Sequence, residues 1–250
     1  MRRAILLEDA NTRFKEVVDT RTERLLNHIA TNAEAKGMRI NAKKTSLMCV
    51  SASTSFIPKV RVRVQDQPVI GQDCMKMLGV TLDCDGSFKT HIANLRTKLR
   101  RRTWALSKLR KRGLSEDKLV RAYCCLIRPV VEYAAPVWHS SITAEQSAKL
   151  ERQQNQALKN IYGPGISAQK MRLRANIPLL RSRREESCLE FIKKSVSNKR
   201  CVSWFNERAP SNYARRQGTR YPRYIERIAL TDRYRNSPLN YMIRQLNNSL

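Results

Sequence analysis

Two aspartates separated by one residue, Asp83 and Asp85, are the nearest approach in this chain to a metal-dependent catalytic arrangement. Nucleotidyl transfer by two metal ions needs carboxylates that clamp the attacking and leaving oxygens. The Asp83-Cys84-Asp85-Gly86 run falls at a strand-to-helix junction and has no further acids at calcium-loop spacing. Its plainer reading is a turn in which aspartate caps the next helix. The sequence contains no phosphate-binding G-x-x-x-x-G-K-[ST], no H-E-x-x-H and no G-x-S-x-G, so these signatures give no catalytic centre and no cofactor. His28, His91 and His139 show no partner at ligand spacing. The seven cysteines are odd in number and lack a C-x-x-C pair, which points to neither a disulfide framework nor a zinc site. Reduced thiols imply an intracellular protein, nuclear or cytoplasmic. Cys124 and Cys125 fall on a helical stripe expected to face the core.

Charge is the stronger signal. The chain holds 49 Lys and Arg against 21 Asp and Glu, a formal net charge of +28 on 250 residues. Like charges at that density oppose compaction, and a polyanionic partner relieves the repulsion. RNA or DNA is therefore the expected partner. No apolar run approaches the roughly 18 residues of a membrane span, and no membrane partner is expected. The densest run spans 96–112, with nine basic residues in seventeen and no acid. Arg96, Lys98, Arg100, Arg101, Lys108, Arg110, Lys111 and Arg112 are its candidate phosphate contacts. A solvated face or a nuclear-localisation signal is the rival reading, but ordinary surface helices offset such runs with acids at i,i+4. Trp104, in the middle of the run, could stack on a base, although an indole at such a position is more often core. Lys43 and Lys44 form a second basic spot at a turn. A third lies in the tail, where eight arginines between Arg208 and Arg235 alternate with Tyr213, Tyr221, Tyr224 and Tyr234; charge plus stacking suits single strands or RNA.

Periodicity supplies the elements that must position these residues. Phe14, Val17, Val18, Leu25, Leu26 and Ile29 predict an amphipathic helix from about Asn11 to Lys36, stopped by Gly37. The residues Ser46–Ser51, Val60–Val64 and Met77–Leu82 read as three short strands, with Gly79 marking close backbone approach in the last. Beyond Leu82 the pattern is helical. Phe88, Ile92, Leu95, Leu99, Leu106 and Leu109 form one stripe. Ser115 is placed to cap a second helix, with Leu114 stapling onto Leu119, and that helix runs past Pro129 with a kink. Thr143 and Gln146 form a capping-box pair for a third helix, which ends at Tyr162-Gly163-Pro164. A further helix is expected near Arg183–Val196, then an extended tail past Pro210 with one short helix. The fold class is α+β and mostly helical. The expected organisation is a helix-and-strand layer over 1–84, a helical bundle over 85–165, and a basic C-terminal region over 166–250.

The order of five segments carries a family resemblance. G-M-R-I-N-A-K-K-T-S-L-M-C (37–49), M-L-G-V-T-L-D (77–83), G-L-S-E-D-K-L (113–119), R-P-V-V-E-Y-A-A-P-V-W (128–138) and S-P-L-N-Y-M-I-R-Q-L-N (237–247) together resemble the C-terminal half of non-LTR (LINE-type) retrotransposon reverse transcriptases. The resemblance implies that residues 1–84 are the end of a polymerase palm and that 85–165 are the thumb closing on a template–primer duplex. Lys44 would lie near the triphosphate, and Met77–Asp83 would support the primer end. The family's Y-x-D-D turn, its first catalytic aspartate and its fingers would precede residue 20, and Glu8-Asp9 does not rebuild that turn. The resemblance thus implies a truncated element copy or a fragment of a gene. Such a chain would hold RNA or DNA, carry no catalytic residues or metal of its own, and depend on a missing N-terminal polymerase portion for the Mg2+ chemistry of the full enzyme. The alternative is a co-opted basic helical module that binds a protein partner, or RNA without specificity.

Overall fold

The computed structural model describes residues 19–50, 61–64, 67–205, 224–226 and 231–249. The chain divides into two compact units, Met1–Thr90 and His91–Leu250. It is mostly helical with two small antiparallel hairpins, as the α+β reading anticipates.

In the first unit, helix α1 covers residues 19–34 of the described chain; Phe14, Val17 and Val18 lie outside the described residues. Gly37 ends the helix at φ 71°, and Met38 N–H closes back on the Ala33 carbonyl at 2.9 Å. A left-handed residue followed by this longer bond is how many helices satisfy their last carbonyls. Strands β1 (Arg61–Val64) and β2 (Gln67–Ile70) pair with Val64 opposite Gln67. Val62 and Val64 face inward and Arg61 and Arg63 outward, the alternation expected of a half-buried strand. Val62, Val64 and Val69 form a small core with Leu26, Ile40 and Leu47 around it. Only part of the α1 stripe joins it, because Leu25 and Ile29 are 58% and 53% exposed.

Two strand expectations are corrected. Among the described residues of 46–51, Leu47 makes a single parallel bridge to Gly71 and no strand forms. Met77–Leu82 is a hairpin instead of one strand: β3 (Cys74–Met77) turns through Leu78 and Gly79 into β4 (Val80–Asp83). Both turn residues have positive φ, 46° and 86°, the geometry that matches a tight turn to strand twist. The apolar run hid the turn, and Leu78 stands 87% exposed at its tip.

The second unit is a helical assembly of α2 (Lys89–Lys111), α3 (Glu116–Ala122), α4 (Arg128–Glu132), α5 (Ala135–Trp138), α6 (Ala144–Tyr162), α7 (Ala168–Ala175), α8 (Leu180–Val196), α9 (Asp232–Arg235) and α10 (Pro238–Ser249). Between α3 and α4 the chain makes a π turn, Tyr123–Ile127. Proline inside a helix lacks the N–H and collides with the carbonyl four residues back. For Pro129 that carbonyl belongs to Cys125, inside the widened turn, so the helical path continues. It breaks instead at Ala134, in the left-handed region at φ 52°. Cys124 is only half-buried and Cys125 exposed, which corrects their expected core placement, since the π turn shifts the register of the buried stripe. Ser115 precedes α3 but makes no side-chain cap bond. Thr143 and Gln146 do form the reciprocal capping box of α6, and Gly163 ends that helix at φ 94°.

Polar groups from one helix finish the ends of another. Leu179 cannot cap α8, and the Glu151 carboxylate on α6 accepts the Leu180 and Arg181 N–H groups at 3.3 and 2.8 Å. The Tyr123 hydroxyl donates to Gln154 at 2.6 Å, and the Gln154 amide donates to the Pro178 carbonyl at 3.0 Å. Burial keeps the Tyr123 phenol protonated well above its ordinary range. The tail also departs from expectation. Its arginines and tyrosines at 208–223 lie outside the described residues, but 231–249 forms two helices, and α10 is core. Leu239, Met242, Ile243 and Leu246 repeat at helical spacing, and Met242 and Ile243 pack with Ile192, Phe205 and Tyr224.

At the centre of this unit Arg184 is fully buried. Its Nε faces His139 Nδ1 at 3.4 Å, its Nη2 donates to Ser147 at 2.8 Å, and its guanidinium lies 5.6 Å from the Trp138 ring centroid. Burial, then the Arg184 charge, lowers the His139 pKa from 6.5 to about 4. His139 is thus neutral when folded and binds a proton more readily when unfolded. Stability should be full above pH 6.5 and fall as pH drops toward about 4. Thermal melts of wild type and His139→Gln across that range test this, the variant losing less stability on acidification.

Candidate nucleic-acid interface

Helix α2 carries the densest basic run on 23 residues. Ile92, Leu95, Leu99, Thr103 and Leu106 are buried along one side. At 100° per residue Arg100, Arg101, Trp104, Lys108 and Lys111 fall on the opposite side, with Lys98 at its margin; all six are exposed. Among the described residues no ion pair joins the cations of this outer face to a carboxylate. Successive turns lie about 5.4 Å apart, inside the roughly 8 Å screening length of physiological salt. The face therefore repels itself.

Trp104 is 63% exposed, so of its two readings, an open ring or a core indole, the structure gives the open ring. The Lys108 ammonium sits 5.0 Å from its ring centroid. The indole lies on the outer face because the buried stripe, at residues 95, 99, 103 and 106, passes on the other side of the helix.

The structure gives other members of the run different work. Arg110 turns toward α6 and donates to the carbonyl of Asn160 at 3.1 Å and, at 3.5 Å, to that of Lys159. The end of a helix leaves such carbonyls without intrahelical partners, and a cation there also meets the negative end of the helix dipole. Gly163, beside the Arg110 guanidinium, is required by its backbone, whose φ of 94° L side chains rarely adopt. Arg102 donates to the Leu126 carbonyl in the π turn; no feature of the sequence separated it from its exposed neighbours. Arg96 is half-buried beside the packed stripe, and Arg112 is exposed just beyond the end of α2.

Lys43 and Lys44 belong to the first unit. They lie on a single 3-10 turn, Ala42–Lys44, held by the Asn41 side chain, which accepts the Lys44 N–H at 3.3 Å. Both are exposed, and Lys43 lines a cleft of about 440 Å³ with Arg39, Asn41, Val64 and Gln67.

The carboxylates at 83 and 85 are taken by backbone. Asp83 accepts the Thr90 N–H at 3.1 Å, at the start of α2, and Asp85 accepts the Ser87 N–H at 2.9 Å. This is the cap that their spacing suggested. Burial, followed by the charges of Asp85, Asp73 and Asp83, raises the intervening Cys84 thiol pKa. Among the described residues no group of three or more His, Cys, Asp or Glu is placed to hold a metal ion. No described helix is long and apolar enough to cross a membrane.

Comparison with known proteins gives one retroelement relative. The chain is 29% identical over 150 residues to a 115 kDa protein in the type-1 retrotransposable element R1DM of Drosophila melanogaster. The match covers 59% of this chain and 14% of that protein. This likeness supports a retroelement-derived protein. No protein-family model matches the chain, and no solved structure does.

The two kinds of cation on α2 are separable by experiment. Arg110→Ala is expected to cost about 1 kcal/mol of stability in urea unfolding, through loss of the α6 terminal bonds. Lys111→Ala, on the open face, should leave stability unchanged within roughly 0.5 kcal/mol.

Proposed function

We propose that this chain is a nucleic-acid-gripping segment of a retroelement protein, in which the outer face of α2 holds the phosphate backbone of RNA or DNA without reading sequence. The observation that carries the reading is the exposed row Arg100, Arg101, Lys108 and Lys111, without ion pairs among the described residues, on a helix whose other side is core. The R1DM likeness supports the retroelement setting. On this reading 1–84 is the end of a polymerase palm, 85–165 a thumb that closes on a template–primer duplex, and 166–250 the region that follows. Lys43 and Lys44 would face nucleotide or template phosphates. Asp83 and Asp85 serve as backbone caps, so this chain contributes grip, and the Mg2+-dependent chemistry of the full enzyme belongs to other residues.

Because phosphate binding releases counterions, log affinity should fall linearly with log salt, by roughly 0.7 to 0.9 per contact. Replacing Arg100, Arg101 and Lys108 by Ala is expected to flatten that slope by about 2 to 3. The affinity loss should be equal across unrelated sequences. Fluorescence anisotropy with labelled RNA and duplex DNA measures it, and an unchanged slope counts against the reading.

A second reading, an apolar docking module for a protein partner, draws on Leu25 and Ile29, both more than half exposed on α1. It expects Leu25→Glu with Ile29→Glu to abolish capture of that partner while leaving salt-dependent nucleic-acid binding as it was.

A further inference from the structure

A second basic surface lies far along the chain from α2, at the C-terminal end of α8. Residues 191–206 contain Lys193, Lys194, Lys199 and Arg200 and no acid. All four are exposed, and with Ser197 and Asn198 they line one open surface groove. The backbone that presents them is tied at several points. The Asn198 side chain accepts the Arg200 N–H at 2.9 Å, Cys201 N–H reaches the Asn198 carbonyl at 2.9 Å, and the Ser197 hydroxyl donates to the Lys193 carbonyl at 3.3 Å. Ile192 and Phe205 are buried in the same apolar cluster, so both ends of this segment are anchored beneath the surface that carries its charges. Next to Phe205, Trp204 stands 41% exposed. A structural role accounts for part of this, since cations at a helix C-terminus meet its negative end and Lys194 pairs with Glu190 at 2.6 Å. That role does not extend to Lys199 and Arg200, which lie past the helix and have no ion pair among the described residues.

We propose that Lys193, Lys194, Lys199 and Arg200 form a second phosphate-binding surface for nucleic acid, separate in the chain from the α2 face. The groove combines two cations at the end of α8 with two on the bonded turn that follows, and an exposed indole lies close by in sequence; charge with stacking is the combination that holds single-stranded backbone. The inference rests on the reading of this chain as a nucleic-acid binder, but on different residues from those that carry that reading.

The test compares the full chain with two variants: the quadruple Ala variant at 193, 194, 199 and 200, and the Arg100, Arg101, Lys108 triple Ala variant. Each is titrated with a labelled oligouridine RNA over a salt series, with thermal melts as fold controls. The quadruple variant is expected to lose about 3 from the log–log salt slope. Its effect should add to that of the triple variant, and Lys→Arg replacement at 193, 194 and 199 should retain binding. A quadruple variant that binds like wild type while the triple variant weakens overturns this surface and leaves the α2 reading standing. Loss in the quadruple variant with no change in the triple variant supports this surface and removes α2. A fall in melting temperature with an unchanged salt slope reduces the four cations to helix-end stabilisers and overturns the proposal. Wild type that binds without salt dependence overturns both.

Discussion

With 49 basic side chains and 21 acidic ones, this chain cannot neutralise its own charge by ion pairing, and where each cation goes constrains everything else. Among the described residues most are left on solvent-facing surfaces. Several arginines take acceptors other than, or in addition to, a carboxylate. Arg184 lies between an imidazole, a hydroxyl and the Trp138 ring. Arg110 ends on the last carbonyls of α6, Arg102 on the carbonyl of Leu126, and Arg244 on the carbonyl of Arg235 at 2.7 Å. The guanidinium suits this use, because its several fixed donors can satisfy carbonyls without a counter-charge.

Two acids of the second unit each serve more than one group. Glu132 on α4 meets both Arg183 on α8 and Arg128 on its own helix. Glu151 on α6 finishes the start of α8 through two backbone N–H groups. Asp83 accepts one backbone N–H, that of Thr90, at the start of α2. The start of α8 and the end of α6 are thus completed by neighbouring helices, whereas α6, α7 and α9 begin on their own N-cap side chains. The buried bond between Tyr123 and Gln154 adds a polar tie across α6 and the π turn, at a point where the backbone has left regular helical geometry.

A consequence is a separation of roles within one basic run. Cations of α2 that face its neighbours hold backbone carbonyls, and those that face away are free of that work and stay exposed. The same division recurs at the end of α8, where Lys193 and Lys194 follow the buried Ile192 and are carried outward on the next positions of the helix. Basic charge in this protein therefore divides by direction more than by residue type.

The sequence by itself determined the features that depend on periodicity and on local chemistry. The stripe from Phe88 to Leu106, the alternation of Val62 and Val64, the Thr143–Gln146 box and the stops at Gly37 and Gly163 each follow from side chains a few residues apart, and each was legible. The densest basic run, 96–112, was likewise visible as a run on a helix with an apolar stripe. What depended on contacts distant in sequence was not legible. The Leu78–Gly79 turn lay concealed inside an apolar run, and the π turn before Pro129 moved Cys124 and Cys125 off the buried stripe. Trp104 and Arg110 sit in the same basic helix, yet the indole faces outward and the guanidinium reaches α6. A linear pattern marks a helix as two-faced; which arginines find a carbonyl to hold is decided only when the carbonyl ends of α6 and the π turn are packed against it.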